Sequence, residues 1–315
     1  MPRILAYGTI ALCLTGVLVA AQQEPTFRGT SDSVRVFATV TDRDGRLITT
    51  LAQNMFEVRD EGKPQPITLF DNSPQPIRLI VMLDVSGSME GNLPLLRAGA
   101  EQLFTRLRPD DLAKVGSFGF DVGISPVFSH DPERLRDELP DTVAPGAPTP
   151  LWRALNQAMD SFAGEDGEGR RVVLVLSDGK DSGPTSFRER YISQGDVIDR
   201  ARKDDVMIYG IGMRSRSSQP IQPGVGPGAL QAALAAQLPD PGLALVAEQT
   251  GGGYAEIRFG QDLGTAFAHV ADELHNQYLL GFAPPKRDGK VHDIDVRVVE
   301  RGMKPRARKS YVAPK

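Results

Sequence analysis

Apolar and polar positions follow two different rhythms along this chain. At residues 33–41, SVRVFATVT sets Val34, Val36, Ala38 and Val40 against polar neighbours, the two-residue period of a half-buried strand. A DRDG turn at 42–45 ends it, and FEVRDEGKPQPITLF from Phe56 predicts a strand pair around a turn at Asp60 to Lys63. The same period returns at Ile294, Val296 and Val298 after an RDGK turn, and RARKSYV closes the chain. Both ends are therefore expected to be β.

The middle reads differently. Unbroken apolar runs of strand length alternate with helical patterns: LIVML at 79–83, a helix near 93–107, AKVGSFGF at 113–120, a helix over 151–163, and VVLVL at 172–176. A helix near 191–204, VMIYGIGM at 206–213, a helical stretch across 229–250, YAEI at 254–257 and a helix over 261–276 follow. The last helix has an inward stripe at Leu263, Phe267, Val270 and Leu274. Strands without polar positions are buried on both faces, which predicts a doubly wound, mostly parallel α/β sheet with helices on each side. The Ser-, Pro- and Gly-rich segment at 214–228 reads as a loop, and no internal repeat interrupts the pattern.

The first residues add a destination. Arg3 precedes an uncharged apolar run from Ile4 to Ala21 that closes in the small residues of LVAAQQ, the form of a secretory signal peptide cut after Ala21 or, next to it, Ala20. The expected product is exported, periplasmic or extracellular, with no transmembrane segment after cleavage. An uncleaved N-terminal anchor is the alternative, because about 18 apolar residues is the minimum that spans a bilayer. The single cysteine, Cys13, lies inside this run behind Leu12, so it is not a lipidation site. The mature chain then has no disulfide, thiol nucleophile or cysteine metal site. With 40 acidic against 36 basic side chains, nothing draws it generally to nucleic acid or an anionic membrane. The expected division is a signal peptide at 1–21, a leader at 22–32, a central domain at 77–276, and one small β-sandwich-like domain assembled from 33–76 and 277–315.

Candidate chemistry gathers at strand ends. LIVMLDVSGSME ends an apolar run in Asp84 and then sets out Ser86 and Ser88, while VVLVLSD ends another in Asp178. Thr149 stands just before a helix whose first turn carries Pro150. Ligands of open α/β sheets bind beyond the carboxyl ends of the strands, so the two carboxylates would face each other there if their strands are neighbours. Two carboxylates and three hydroxyls are hard oxygen donors. They suit Mg²⁺ or Mn²⁺, with Ca²⁺ behind them, rather than zinc.

DVSGSM, a later isolated Thr149 and SDG after an apolar strand resemble the metal-ion-dependent adhesion site of von Willebrand factor type A domains, over residues 77 to 276. With AEQTGGGYAEI, NQYLLGF, the flanking β segments and the signal peptide, the chain is similar to exported bacterial VWFA-related domain proteins. The resemblance implies a Rossmann-like fold and a metal site made of Asp84, Ser86, Ser88, Thr149 and Asp178. In it the serines and threonine bind directly and the aspartates directly or through water. It also implies an adhesion or interaction module, not an enzyme, whose ion accepts an Asp or Glu carboxylate from a protein partner. Where the family often has two glycines before the threonine, this chain has Ala147 and Pro148, which stiffen a loop that carries partner specificity.

A metal-assisted hydrolase and a metal-free structural scaffold are the alternatives. A hydrolase would need a positioned base, and His130, His269, His275 and His292 are scattered. Haloacid-dehalogenase phosphatases need DxD where this chain has Ser86, and a nucleophile elbow needs a glycine two residues before its serine. DRDG reads as a hairpin turn rather than a calcium loop, Glu90 as a solvated acid, and the run Arg301, Lys304, Arg306, Arg308, Lys309 as charge guarding an edge strand.

Overall fold

The computed structural model describes residues 33–164, 169–178, 180–184, 190–213, 241–257 and 263–315. The expected signal peptide and leader, the 214–228 loop and the first part of the 229–250 helix lie outside them. Alternating residues near the N-terminal end form β1 (Val34–Thr41), β2 (Phe56–Asp60), β3 (Lys63–Gln65) and β4 (Leu69–Asp71). Next come β5 (Ile77–Asp84), α1 (Leu93–Phe104), β6 (Leu112–Phe118), β7 (Val122–Ile124), α2 (Pro132–Asp137), α3 (Leu151–Asp160) and β8 (Arg170–Ser177). Then follow α4 (Gln194–Asp204), β9 (Val206–Met213), α5 (Pro241–Thr250), β10 (Tyr254–Ile257) and α6 (Leu263–His275). The chain ends in β11 (Tyr278–Phe282), β12 (Val291–Val298), β13 (Lys304–Ala307) and β14 (Ser310–Val312).

Every residue of β5 is buried, because the pleat sends alternate side chains into two separate cores. Leu79, Val81 and Leu83 join α1 and α6 on one face, while Ile80 and Met82 join α3 and α4 on the other. The six-stranded sheet runs β10-β9-β8-β5-β6-β7, parallel throughout except for the short edge strand β7. This is the doubly wound sheet that the apolar runs predict, with β5 as the turning point of strand order. The stripe of α6 is buried as expected, and a Cβ added at Gly99 of α1 would stand 2.5 Å from the Phe267 ring. Glycine there lets the two helices approach.

The two chain ends form two four-stranded sheets, β13-β1-β11-β4 and β14-β12-β2-β3, each combining N- and C-terminal strands. Between them lies a third core of Val36, Ala38, Val58, Leu280, Phe282 and Ile294. Inside it the Tyr278 hydroxyl donates to Ile48 O at 2.8 Å and accepts from Leu51 N at 2.9 Å.

Two expectations change where this sandwich meets the central sheet. Half of β1 was expected to face water; Arg35 is exposed, but Thr39 on the same side is buried and Phe37 half-buried. Arg170 holds its guanidinium 4.7 Å above the Phe37 ring, and Thr39 Oγ1 accepts from Gln277 Nε2 at 2.7 Å. Arg170 also donates to Leu274 O at 2.6 Å and to Gln277 Oε1, so it grips the end of α6 and the residue after it. Burial pushes its pKa down to about 10, which still leaves it charged at neutral pH.

The C-terminal basic run is the second correction. Arg301 and Lys304 are exposed, and β13 is an edge strand. The other cations turn toward acids of the central unit instead of guarding the edge. Arg306 pairs with buried Glu273 and lies 5.8 Å from the Tyr209 ring centroid. Arg308 meets Asp205 at 2.6 Å, and Lys309 meets Glu248 at 3.9 Å. Gly251, at φ +84°, allows this approach, since a Cβ there would stand 2.5 Å from Arg308 N.

A buried acid pins the same end of the sheet. Asp111 accepts from Ile77 N at 3.0 Å and Arg108 N at 2.7 Å, and contacts His275 Nε2 at 2.7 Å. Burial pushes its pKa upward, but the histidine and the two backbone donors outweigh that and hold it below the ordinary carboxylate value.

Glu273 carries 5% side-chain exposure and Arg306 30%. Removing either partner alone should therefore cost about 1–3 kcal/mol, at or below the range for breaking a buried pair. Urea unfolding of Glu273→Gln, Arg306→Gln and the double variant measures this. The expected double loss is smaller than the sum of the singles; strict additivity would mean that the two side chains do not interact.

Candidate metal centre

β5 and β8 are parallel neighbours with Leu83 beside Leu176, which sets Asp84 level with Ser177. Ser177 Oγ donates to Asp84 Oδ2 at 2.6 Å, and Ser86 N donates to Asp84 Oδ1 at 2.9 Å, so both carboxylate oxygens are oriented. Beyond Asp84 the chain makes a 3₁₀ turn at Gly87–Met89, with Met89 buried beneath it. This turn brings Ser86 Oγ and Ser88 Oγ to 2.9 Å from each other.

The second loop is clamped onto the first. Gly87 N donates to Ala147 O at 3.2 Å, Ala144 N donates to Val85 O at 3.2 Å, and a Cβ at Gly87 would stand 2.8 Å from Gly146 N. Gly146 and Ala147, just before Pro148, thus lie directly against the DVSGSM turn. Thr149 is buried, and its carbonyl accepts from Leu151 N at 2.8 Å and Ser182 N at 2.9 Å. Pro150 is the N-cap of α3 rather than part of its first turn. The proline nitrogen has no proton, and a free N–H of the first turn, Trp152 N, is satisfied at 3.2 Å by Asp181 Oδ1. The third loop follows β8, where Asp178 is 2% exposed and accepts from Lys180 N at 3.2 Å. Ser182 and Asp181 therefore tie the Asp178 loop to the Thr149 loop.

Electrostatics set the character of the place. Asp84 is fully buried, and among the described residues neither it nor Asp178 has a Lys, Arg or His partner. Burial raises the Asp84 pKa to about 6; hydrogen bonds from Ser177 and Ser86 oppose the rise, and the charge of Asp178 adds to it. Among the described residues, two carboxylates have been taken out of water with hydroxyls and amides around them and no Lys, Arg or His bonded to either. That donor set fits a hard divalent cation, whose charge would offset both.

Sequence reasoning assigned no role to Ser177 or Asp181. Ser177 is visible as the hydroxyl before Asp178, but its bond to Asp84 depends on strand register. Asp181 is one acid of a polar loop, and its capping of α3 appears when the loops meet. The histidines act elsewhere: His275 on Asp111, His292 on Asp60 at 3.1 Å, and exposed His269 near Glu273 at 3.4 Å. Asp42 Oδ1 accepts from Asp44 N and Arg46 N, both at 2.9 Å, so DRDG makes the expected hairpin turn.

A family model described as von Willebrand factor type A domain matches residues 79–223, which takes in the strand ends and loops just described. The chain carries a von Willebrand factor type A domain. Among solved structures, the A-domain chain is similar to a conserved hypothetical protein, BatB, from Bacteroides thetaiotaomicron, at 17% identity and TM-score 0.46, covering 63% of this chain and 97% of that one. It is similar to a von Willebrand factor type A protein from Catenulispora acidiphila at 12% identity and TM-score 0.49, covering 92% and 76%. It is also similar to the pilus adhesin SpaC from Lactobacillus rhamnosus GG at 10% identity and TM-score 0.44, covering 84% and 42%. No curated protein matches it. No helix among the described residues is long and apolar enough to cross a membrane.

In the metal-free A-domain protein, the Asp84 carboxyl should titrate near 6, about two units above an ordinary aspartate. Its folded pKa lies above its unfolded value, so its contribution favours folding below about pH 4 and is lost as pH rises to about 6. Carbon-detected NMR titration checks the value. Asp178→Asn should lower it, because a neighbouring negative charge is removed.

Proposed function

We propose that this A domain is a metal-dependent protein-binding module, in which Asp84, Ser86, Ser88, Thr149 and Asp178 hold a divalent cation that accepts an Asp or Glu side chain of a protein partner. The observation that carries this reading is the buried pair Asp84 and Asp178, without a cationic partner among the described residues, with three hydroxyl side chains on loops bonded to one another. The neutral hydroxyls donate weakly, so a bound ion would supply an electrophilic open position for a partner's carboxylate. Mg²⁺ and Mn²⁺ fit this small oxygen set better than Ca²⁺, which takes about 6–8 oxygen ligands. The chain's own residues do the arranging. Ser177 orients Asp84, the contact of Gly87 with Ala147 sets Ser86 and Ser88 against the Thr149 loop, and Ser182 keeps the Asp178 loop beside it.

The reading is binding rather than hydrolysis. Both aspartates would be occupied by the ion, and among the described residues no histidine is hydrogen-bonded to either, which leaves no side chain placed as a general base. Residues 33–76 and 277–315 are read as one discontinuous β domain into which residues 77–276 are inserted. Export is read from the apolar Ile4 to Ala21 run, and periplasmic or extracellular protein should begin at Gln22. Intact mass of the exported form checks this; a chain that still begins at Met1 would mean an anchor.

Calorimetry with Mg²⁺ and Mn²⁺ tests the metal. Asp84→Ala should abolish binding, and Ser88→Ala or Thr149→Ala should weaken it about 10–100-fold, with unchanged circular dichroism because these groups lie at strand and loop ends. Affinity in wild type should fall as pH drops through about 6, where a proton competes for Asp84. Partner capture from the exported fraction should be lost in EDTA. Equal heats for wild type and Asp84→Ala, or capture that persists in EDTA, would sink the metal-bridged mechanism.

A further inference from the structure

The sandwich contains a polar cluster that the A domain does not use. Inward positions of β2 read Phe56, Val58, Asp60, and those of β12 read His292, Ile294, Val296. One apolar slot on each strand has thus been given to an acid and to a histidine, side by side at the end of a core. Asp60 is 1% exposed and His292 5%. The His292 Nδ1 lies 3.1 Å from Asp60 Oδ1 and 3.4 Å from Oδ2, while its Nε2 lies 3.2 Å from Asp288 Oδ1. The Tyr311 hydroxyl donates to Asp60 Oδ2 at 3.1 Å, and its ring packs edge-on to the imidazole at 5.5 Å. Glu61, on the exposed β2–β3 hairpin, accepts from Asp293 N at 2.9 Å through Oε1. One ligand atom each from Asp60, Glu61 and His292 lies within 4.8 Å of the other two.

Both ring nitrogens face acceptor carboxylates, Nδ1 toward Asp60 with the Tyr311 hydroxyl 3.4 Å away and Nε2 toward Asp288. With the ring proton on Nε2, Nδ1 presents a lone pair toward Asp60, and either a metal ion or a second ring proton between them satisfies both groups. Two ligands each about 2.0–2.1 Å from a tetrahedral Zn²⁺ stand about 3.3 Å apart, and the observed separations of 3.1 and 3.4 Å bracket that value. Asp288 behind the ring matches the carboxylate that orients a metal-bound histidine.

We propose that Asp60, Glu61 and His292 form a transition-metal site of the zinc class, independent of the oxygen-only centre in the A domain, with Asp288 as the positioning residue for His292. Its nitrogen ligand selects Zn²⁺ or Co²⁺ over Mg²⁺, and exposed Glu61 leaves the remaining position open to solvent or to a ligand from another molecule.

The test uses the full chain carrying Asp84→Ala, so that the A-domain centre is removed. Calorimetry with Zn²⁺ should give one equivalent per chain. Glu61→Gln, a surface change that leaves the core intact, should weaken binding at least 10-fold, His292→Gln should abolish it, and Asp288→Asn should weaken it about 10–100-fold. With Co²⁺ bound, a visible absorption band should appear and be lost in His292→Gln. Nitrogen-15 NMR of the imidazole should show Nδ1 without its proton when Zn²⁺ is present. No zinc heat, zinc heat unchanged in Glu61→Gln and Asp288→Asn, or an Nδ1 proton retained in excess Zn²⁺ would overturn the proposal and leave a protonated histidine bridging two aspartates.

Discussion

The pairing of β5 with β8 is the contact on which the candidate site depends. It sets two carboxylates at the ends of adjacent parallel strands, in a place where burial, opposed by hydrogen bonds and helped by the second carboxylate, raises one of them to about 6. Hydroxyl and amide donors orient Asp84 without neutralising it, and three loops are bonded to one another around it. Such a region keeps two carboxylates close together and out of water. That is the condition the proposed divalent cation would relieve.

The opposite end of the same strand belongs to another network. β8 begins at Arg170, which holds the last turn of α6 and Gln277, and ends at Ser177, which orients Asp84. The seam between sandwich and central sheet is built from cations over rings, from hydrogen-bonded amides, and from the pairs of Arg306 and Arg308 with Glu273 and Asp205. Polar seams of this kind are directional. They fix how β1 and β13 sit on the A domain more tightly than an apolar contact of equal area would, because each bond has one geometry. β11 follows α6 after two residues, so the helix that packs on α1 leads directly into the sandwich.

Inside the sandwich, Asp60 and His292 stand where the two-residue period calls for apolar side chains. Local pattern and chemistry disagree there, and natural sequences retain such disagreements mainly where a buried polar network specifies structure or binds something. The same holds for Asp84 and Asp178, which close apolar runs at strand ends.

The sequence by itself determined the rhythm of the elements. Runs such as Leu79 to Leu83 and Val172 to Leu176 have no polar position, and their short length between helical patterns reads as strands covered on both faces, while the alternation of Val34 to Val40 reads as a half-buried strand. It also determined the donor types: Asp84, Ser86, Ser88, Thr149 and Asp178 are readable because short motifs lie within one loop each. Tertiary structure decided everything that joins distant segments. That Ser177 faces Asp84, that Asp181 caps the helix after Thr149, that Thr39 of β1 and the cations Arg306 and Arg308 meet groups outside their own sheet, and that Asp60 meets His292 across 232 positions of chain all depend on register and docking. A two-residue period tells which side chains share a face, but it carries no information about what that face will touch.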